Sequence, residues 1–155
     1  MQKILITYGT RPLAQRLAKQ FSDKFEVVFA SSEEVPSFLQ ANYLKIPTGV
    51  NPTYAHELLK LSLDKQIDYI LPLGESEINS LAESKLLFEE YDIIPLVPNL
   101  SDLPVYFTIE NPPSQAEIHI YLQGKGLDVE QKLHLPATGL LMVSDDQEEL
   151  ALVTI

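Results

Sequence analysis

Two segments of the chain carry side chains that could bind a ligand or do chemistry. The first, P-L-G-E-S-E, covers residues 72–77 and holds two carboxylates, those of Glu75 and Glu77. Such a pair could bind a cation or a substrate amine. The same two acids could instead stabilise the amino terminus of a helix, because the helix dipole favours negative charge there.

The second segment, Y-G-T-R-P, covers residues 8–12 and offers Gly9 and Arg11. If a helix begins near Pro12, its free N–H groups could receive an anion, and the Arg11 guanidinium could assist. Alternatively, Gly9 only makes a turn and Arg11 is solvated. A single glycine does not give the close backbone approach that a pyrophosphate needs from G-x-G-x-x-G. No dinucleotide cofactor is therefore predicted.

The chain also lacks the residue groups of a metal site. It contains no cysteine, which excludes thiolate ligands and thiolate nucleophiles. His56, His119 and His134 are separated in sequence and are expected at the surface, although the last two lie on the polar sides of two predicted paired strands. The acids around Asp145 lack the glycine and the spacing of a calcium-binding loop. No metal and no other cofactor are predicted.

Strands and helices alternate through residues 1–100. Short apolar runs predict strands at residues 3–7, 25–30, 43–46, 67–71 and 93–97. Apolar stripes with helical spacing predict helices after residues 10, 51 and 77, the last including Leu86. A serine followed by two acids predicts another helix start at residues 31–34, with Val35, Phe38 and Leu39 on its apolar side.

This alternation predicts a Rossmann-like, three-layer α/β fold with a parallel sheet. In such a sheet, ligands bind outside the carboxyl ends of the strands. The loops at residues 8–12, 30–33, 47–53 and 72–77 therefore form the predicted ligand edge, which brings the two chemistry-bearing segments to the same side of the sheet.

The pattern changes near Leu100. Residues 101–155 hold two lysines against nine acids, and apolar residues alternate with polar ones in residues 117–135. This alternation predicts a half-exposed antiparallel hairpin, and residues 140–143 and 150–155 predict a second one around Asp145. We therefore predict two domains, an α/β domain at 1–100 and a small antiparallel β appendage at 101–155. The final apolar run, A-L-V-T-I, is expected to be an uncovered edge strand that forms a homodimer through this appendage.

Composition narrows the possible partners. The 155-residue chain has 11 basic and 22 acidic residues, giving a net charge of −11. A nucleic-acid partner needs a basic surface and is not predicted. The sequence shows neither a signal-peptide pattern nor an apolar run long enough to span a bilayer, so no membrane association is predicted and a cytoplasmic location is expected.

The order of motifs in residues 1–100 resembles the amino-terminal pre-ATP-grasp domain of ATP-grasp enzymes. It is most similar to carbamoyl-phosphate-synthase-like members. The similarity lies in T-Y-G-T-R-P-L-A-Q-R-L-A-K after the first strand and in I-D-Y-I-L-P-L-G-E-S-E-I-N-S-L-A later. The resemblance implies a domain that packs against an ATP-grasp domain and helps to form its substrate pocket. It places Gly9, Arg11 and Glu75 at that pocket, with Glu77 as a neighbour.

The same resemblance implies that ATP is bound by a following domain, through a lysine, a glycine-rich loop and acidic magnesium ligands. Only about 55 residues follow Leu100. In L-P-V-Y-F-T-I-E-N-P-P-S the lysine position holds Thr108 or a neighbour, and the glycines are missing. We therefore predict a non-catalytic, stand-alone module that binds a small ligand or a partner, such as a separately encoded ATP-grasp protein. The alternative is a fragment or subunit of an ATP-grasp ligase, or a small Rossmann-like nucleotide-binding enzyme.

Overall fold

A parallel five-stranded sheet forms the first half of the computed structural model, which describes residues 1–155. Its strands are β1 (Gln2–Ile6), β2 (Phe25–Ser31), β3 (Leu44–Lys45), β4 (Tyr69–Leu71) and β5 (Ile94–Pro95). Its helices are α1 (Pro12–Phe21), α2 (Tyr54–Asp64), α3 (Glu75–Glu83) and α4 (Lys85–Glu90). The strand order is β3-β2-β1-β4-β5 and every pair is parallel. The predicted Rossmann-like α/β fold is confirmed.

The strand order reverses between β1 and β4. From β1 the chain builds outward to β3, then returns to place β4 on the other side of β1. The connections that leave β1 and β4 diverge at this point, which opens a crevice at the carboxyl ends of the two strands. We call this position the switch point.

Successive residues of β1 belong to different hydrophobic clusters. Leu5 packs with residues of α2 and α3, whereas Ile4 and Ile6 pack with residues of α1. Side chains alternate across a strand, so α2 and α3 cover one face of the sheet and α1 covers part of the other.

A second sheet covers the rest of the α1 face. Its strands are β6 (Phe107–Glu110), β7 (His119–Leu122), β8 (Lys125–Gly126), β9 (Gly139–Val143) and β10 (Leu150–Thr154). Ile120 and Val153 of this sheet are fully buried in the cluster that holds Ile4, Ile6 and α1. Apolar residues of both predicted domains thus pack together in each of the two clusters, and the boundary near residue 100 stays a prediction.

The second sheet is mixed, whereas a purely antiparallel unit was expected. Its order is β6-β10-β9-β7-β8, and β10 pairs antiparallel with β9 but parallel with β6. A parallel pair needs a long connection, and nearly forty residues separate β6 from β10. The final strand is therefore interior, and the expectation that it is an uncovered edge is wrong. The edge strands are β6 and β8.

Two predicted helical features are wrong for local reasons. No α-helix begins at residues 31–34, because Pro36 disfavours helical backbone in the residue before it. A short 3₁₀ helix, Ser37–Asn42, follows, and Phe38 is 82% exposed. Leu86 is 77% exposed because the helix is interrupted at Ser84, and Phe88 of α4 is buried in its place.

The prediction of a strand after Gly126 is also wrong. The antiparallel pair of β7 and β8 exists, but β8 ends at Gly126 and residues 127–138 form a loop. A Cβ on Gly126 would lie 2.4 Å from the carbonyl oxygen of Val129, so the backbone folds closely over itself here. The alternating pattern thus belongs to a folded-back loop. None of the helices is long and apolar enough to cross a bilayer.

Candidate functional site

A cavity of about 470 Å³ opens at the switch point. Its walls come from the turn after β1, the first turns of α3 and the end of β10. The lining residues are Tyr8, Gly74, Glu75, Ser76, Asn79 and Ile155. We call this cavity the switch-point crevice. Ile155 is fixed there because its backbone N–H donates a hydrogen bond of 3.0 Å to the carbonyl oxygen of Leu73.

The turns that follow β1 and β4 pack directly against each other. Tyr8 has a φ of 49°, an uncommon backbone conformation that aims its ring across the switch point. A Cβ on Gly74 would lie 2.6 Å from that ring, and a Cβ on Gly9 would lie 2.7 Å from the Phe29 Cβ. Glycine at position 74 therefore lets the two turns approach each other, and glycine at position 9 lets the turn after β1 lie close to β2.

The carboxyl group of Glu77 lies fully buried beneath the crevice. Its Oε1 accepts a 2.6 Å hydrogen bond from the Thr7 hydroxyl and a 3.2 Å hydrogen bond from the Gly74 N–H. The Thr7 hydroxyl in turn accepts a 2.8 Å hydrogen bond from the Leu73 N–H. This network joins the ends of β1 and β4 to the start of α3. Glu77 thereby accepts a hydrogen bond from the backbone N–H of the residue before α3, as the acid at the third helical position of a capping box does.

Burial raises the pKa of Glu77 from its ordinary value of 4.5 to about 7, although the hydrogen bonds from Thr7 and Gly74 work in the opposite direction. Desolvation favours the neutral carboxyl group. Glu77 Oε2 and the hydroxyl of the buried Tyr54 both lack a partner with hydrogen-bond geometry. Burial and, next, the charge of Glu77 raise the pKa of Tyr54 well above its ordinary value.

The loop before α2 closes this network from one side. A Cβ on Gly49 would lie 2.5 Å from both the backbone nitrogen of Glu77 and the Ser76 hydroxyl. No larger residue fits there without displacing the first turn of α3. The 47–53 loop therefore holds Glu77 in its buried position.

Arg11 is occupied by an ion pair outside the crevice. Its Nε and Nη2 donate to the two carboxylate oxygens of Glu33 at 2.9 and 2.7 Å, and its Cζ lies 5.8 Å from the centre of the Tyr8 ring. The hydrogen bonds from Arg11 lower the pKa of Glu33. Both side chains are substantially exposed, so the pair contributes little to stability. Its main consequence is that the Arg11 charge is already neutralised.

The structure thus separates the four residues selected from the sequence. Glu75 lines the crevice, Glu77 lies beneath it, Gly9 packs against Phe29 of β2, and Arg11 points to Glu33. Sequence analysis missed Thr7, Tyr8 and Tyr54. A polar residue at the end of an apolar strand is the signal that could have identified Thr7.

His119 forms a second polar cluster, between the second sheet and α1. Its Nδ1 lies 2.9 Å from Asp128 Oδ2 and its Nε2 lies 3.1 Å from Glu117 Oε1. Although burial alone lowers it, these two carboxylates raise the pKa of His119 above its ordinary value. Gln20 of α1 donates to Asp128 and to the carbonyl oxygen of Ile118. His119 is thus half-buried in a cluster that links the second sheet to α1. The expectation that it lies at the surface is wrong.

Comparison with known families decides what kind of domain this is. The model of the PylC-like N-terminal domain family matches residues 4–96, which run from within β1 to the end of β5 and include the switch point. The chain belongs to this family. No curated protein matches the chain significantly. The resemblance to pre-ATP-grasp domains is thereby confirmed, and the PylC-like domain of this chain is an ATP-grasp-related module.

Proposed function

We propose that this PylC-like chain is a non-catalytic binding module whose switch-point crevice holds a small ligand with an amino group. The observation that carries the proposal is the electrostatic character of the crevice. Its only charged lining side chain is that of Glu75, which is exposed at the start of α3. The nearest arginine is neutralised by Glu33. An ammonium group is therefore attracted and a phosphate is repelled.

The remaining polar groups of the crevice suit the same ligand. Asn79 donates its amide N–H to the Glu75 carbonyl oxygen, which leaves its side-chain oxygen as an acceptor. The Tyr8 hydroxyl, which lies beside Gly74, offers a second acceptor. An ammonium group carries three donors and needs several acceptors, and Glu75, Asn79 and Tyr8 supply one each.

The second sheet supports a non-catalytic role. The resemblance places a lysine at or near Thr108, on edge strand β6. Both lysines of residues 101–155 lie instead at β8 and in the loop after it. The residues present at β6 therefore do not fit the phosphates of ATP.

We expect putrescine to bind in the crevice in the millimolar range and to shift the amide resonances of Gly74 to Asn79. Replacing Glu75 with glutamine should weaken this binding about tenfold, because the charge-assisted hydrogen bond is lost. Glu83→Gln, an exposed acid at the other end of α3, serves as the matched control and should bind like wild type. Acetate and inorganic phosphate are anions and should not bind in the crevice, because its charge is negative.

Two results would contradict this proposal. Equal binding by the Glu75 and Glu83 variants would show that the crevice acid takes no part. Stabilisation by magnesium-ATP, in a thermal-shift assay, would favour the alternative nucleotide-binding enzyme. Ligand at a hundred times its Kd stabilises a protein by about 2.7 kcal/mol, so such binding is readily measured.

A specific observation also favours a second candidate function, assembly of two copies through β6. This edge strand has an unpaired side, and Phe107 is 73% exposed. Val105 and Leu135 are also exposed and share an apolar hollow of about 360 Å³ with it. Apolar side chains beside a free strand edge favour pairing with another strand. A second copy presents the same edge and can pair with it about a two-fold axis.

Phe107→Lys is therefore expected to convert a dimer into a monomer, because it places a charge at the pairing edge. Phe38→Lys changes a similarly exposed phenylalanine outside the second sheet and should leave the mass of the assembly unchanged. Light scattering coupled to gel filtration measures both. A wild-type chain that is monomeric at high concentration would refute this assembly.

A further inference from the structure

We propose that a groove between β8 and the turn after α1 is a binding site for a doubly charged phosphoryl group. The groove has a volume of about 580 Å³, and three lysines line it: Lys24, Lys125 and Lys132. Lys24 lies directly before β2, so the groove is at the amino edge of the parallel sheet, opposite the switch-point crevice. We call it the lysine groove.

The placement of lysines in this chain is uneven. Residues 101–155 contain nine acids and two lysines, and both lysines line this groove. In a chain with a net charge of −11, a lysine has many carboxylates with which it could pair. Like every lysine of the chain except Lys3, none of these three has a carboxylate within salt-bridge distance. All three side chains are exposed and available to an external anion.

The backbone also forces two of these charges together. Lys125 and Lys132 face each other in an antiparallel β-bridge. Directly opposite residues in such a bridge have Cβ atoms about 5 Å apart on the same face, and like charges there are destabilising. The fold of the loop does not depend on these side chains, because it is closed by backbone hydrogen bonds such as that from the Gly126 N–H to the Gln131 carbonyl oxygen. A bound anion would turn the repulsion into attraction.

The charge of the groove identifies the class of ligand. The three ammonium groups and the carboxylate of Glu130, which also lines the groove, give a net charge of +2. A phosphate monoester carries a charge of about −1.5 to −2 at neutral pH and has three strong acceptor oxygens. Lysine binds phosphate as a compact point charge with rotatable donors. Both a free phosphate and a phosphorylated side chain would supply this chemistry.

The test is a titration of the full chain followed by NMR, with inorganic phosphate, a phosphoserine peptide and its unphosphorylated counterpart as separate probes. Phosphate should shift the resonances of residues 124–132 and Lys24, and its affinity should fall as sodium chloride is added. Binding by the phosphoserine peptide that exceeds that of free phosphate assigns the site to a phosphorylated partner. The reverse order assigns it to a free phosphate compound.

Lys132→Gln should weaken phosphate binding by about tenfold, because one charged donor is removed. In the absence of phosphate and at low salt, the same change should raise Tm by about 1 °C, because the opposed charges are relieved. Lys60→Gln, on the exposed side of α2, is the matched control and should show neither effect. Identical titrations of the Lys60 and Lys132 variants, or resonance shifts spread evenly over all lysines, would overturn the proposal.

Discussion

Glu77→Ala is expected to lower the free energy of unfolding by about 3 kcal/mol at pH 5. The change leaves the Gly74 N–H and the Thr7 hydroxyl without their buried acceptor, and each unsatisfied group costs about 1 to 3 kcal/mol. The lost side-chain volume adds a cavity beneath the crevice. The measurement is urea unfolding at pH 5, where the folded protein keeps this carboxyl group protonated.

Two variants separate this effect from a general loss of helix stability. Glu77→Gln keeps an oxygen that can accept from Thr7 and Gly74, so it should remain within about 1 kcal/mol of wild type at pH 5. Glu83→Ala removes an exposed acid from the same helix and should have an effect within about 0.5 kcal/mol. An alanine variant at position 77 as stable as wild type would mean that the network does not join β1, β4 and α3.

The stability of the wild-type chain is expected to fall by about 2.5 kcal/mol between pH 5 and pH 8 because of Glu77. The pKa of this acid is about 7 in the folded protein and 4.5 ordinarily, so the folded state holds its proton more tightly than the unfolded state does. Stability therefore decreases as pH rises from 4.5 through 7. Each pKa unit corresponds to about 1.36 kcal/mol.

Glu77→Gln cannot ionise and should remove most of this slope, so that the variant is about 2 kcal/mol more stable than wild type at pH 8. The raised pKa of His119 contributes with the same sign, since its protonated form is the one stabilised by Asp128 and Glu117. His119→Gln should therefore remove a different part of the slope. Urea unfolding across this pH range measures all three proteins, and parallel curves for wild type and the Glu77 variant would contradict the assignment.

The parallel sheet could be predicted because its evidence is local. Buried strands contain continuous apolar runs, such as residues 4–6 of β1, and α1 has its apolar residues at helical spacing. The predicted ligand edge also follows from topology alone, since the carboxyl ends of β1 and β4 must adjoin. These features need no knowledge of which residues touch across the fold.

The geometry of the candidate site and the pairing of the second sheet depend on contacts between residues far apart in sequence. Glu75 and Glu77 look equivalent in P-L-G-E-S-E, yet one is exposed and the other buried, because the position of each on α3 relative to Thr7 and Gly49 decides which is covered. The pairing of Arg11 with Glu33 likewise joins two loops across the sheet edge. The parallel pairing of β6 with β10 leaves no trace in the alternation of either strand.

The hydrogen bond from the Ile155 N–H to the Leu73 carbonyl oxygen makes the second sheet part of the switch-point crevice. The two halves of the chain therefore share one wall of the crevice. The proposed ligand, when bound there, would be thermodynamically linked to the docking of the second sheet. A ligand that contacts Ile155 would favour the docked arrangement by the difference between its binding free energies for the complete wall and the opened one. Docking of the β appendage would therefore respond to a ligand in the crevice.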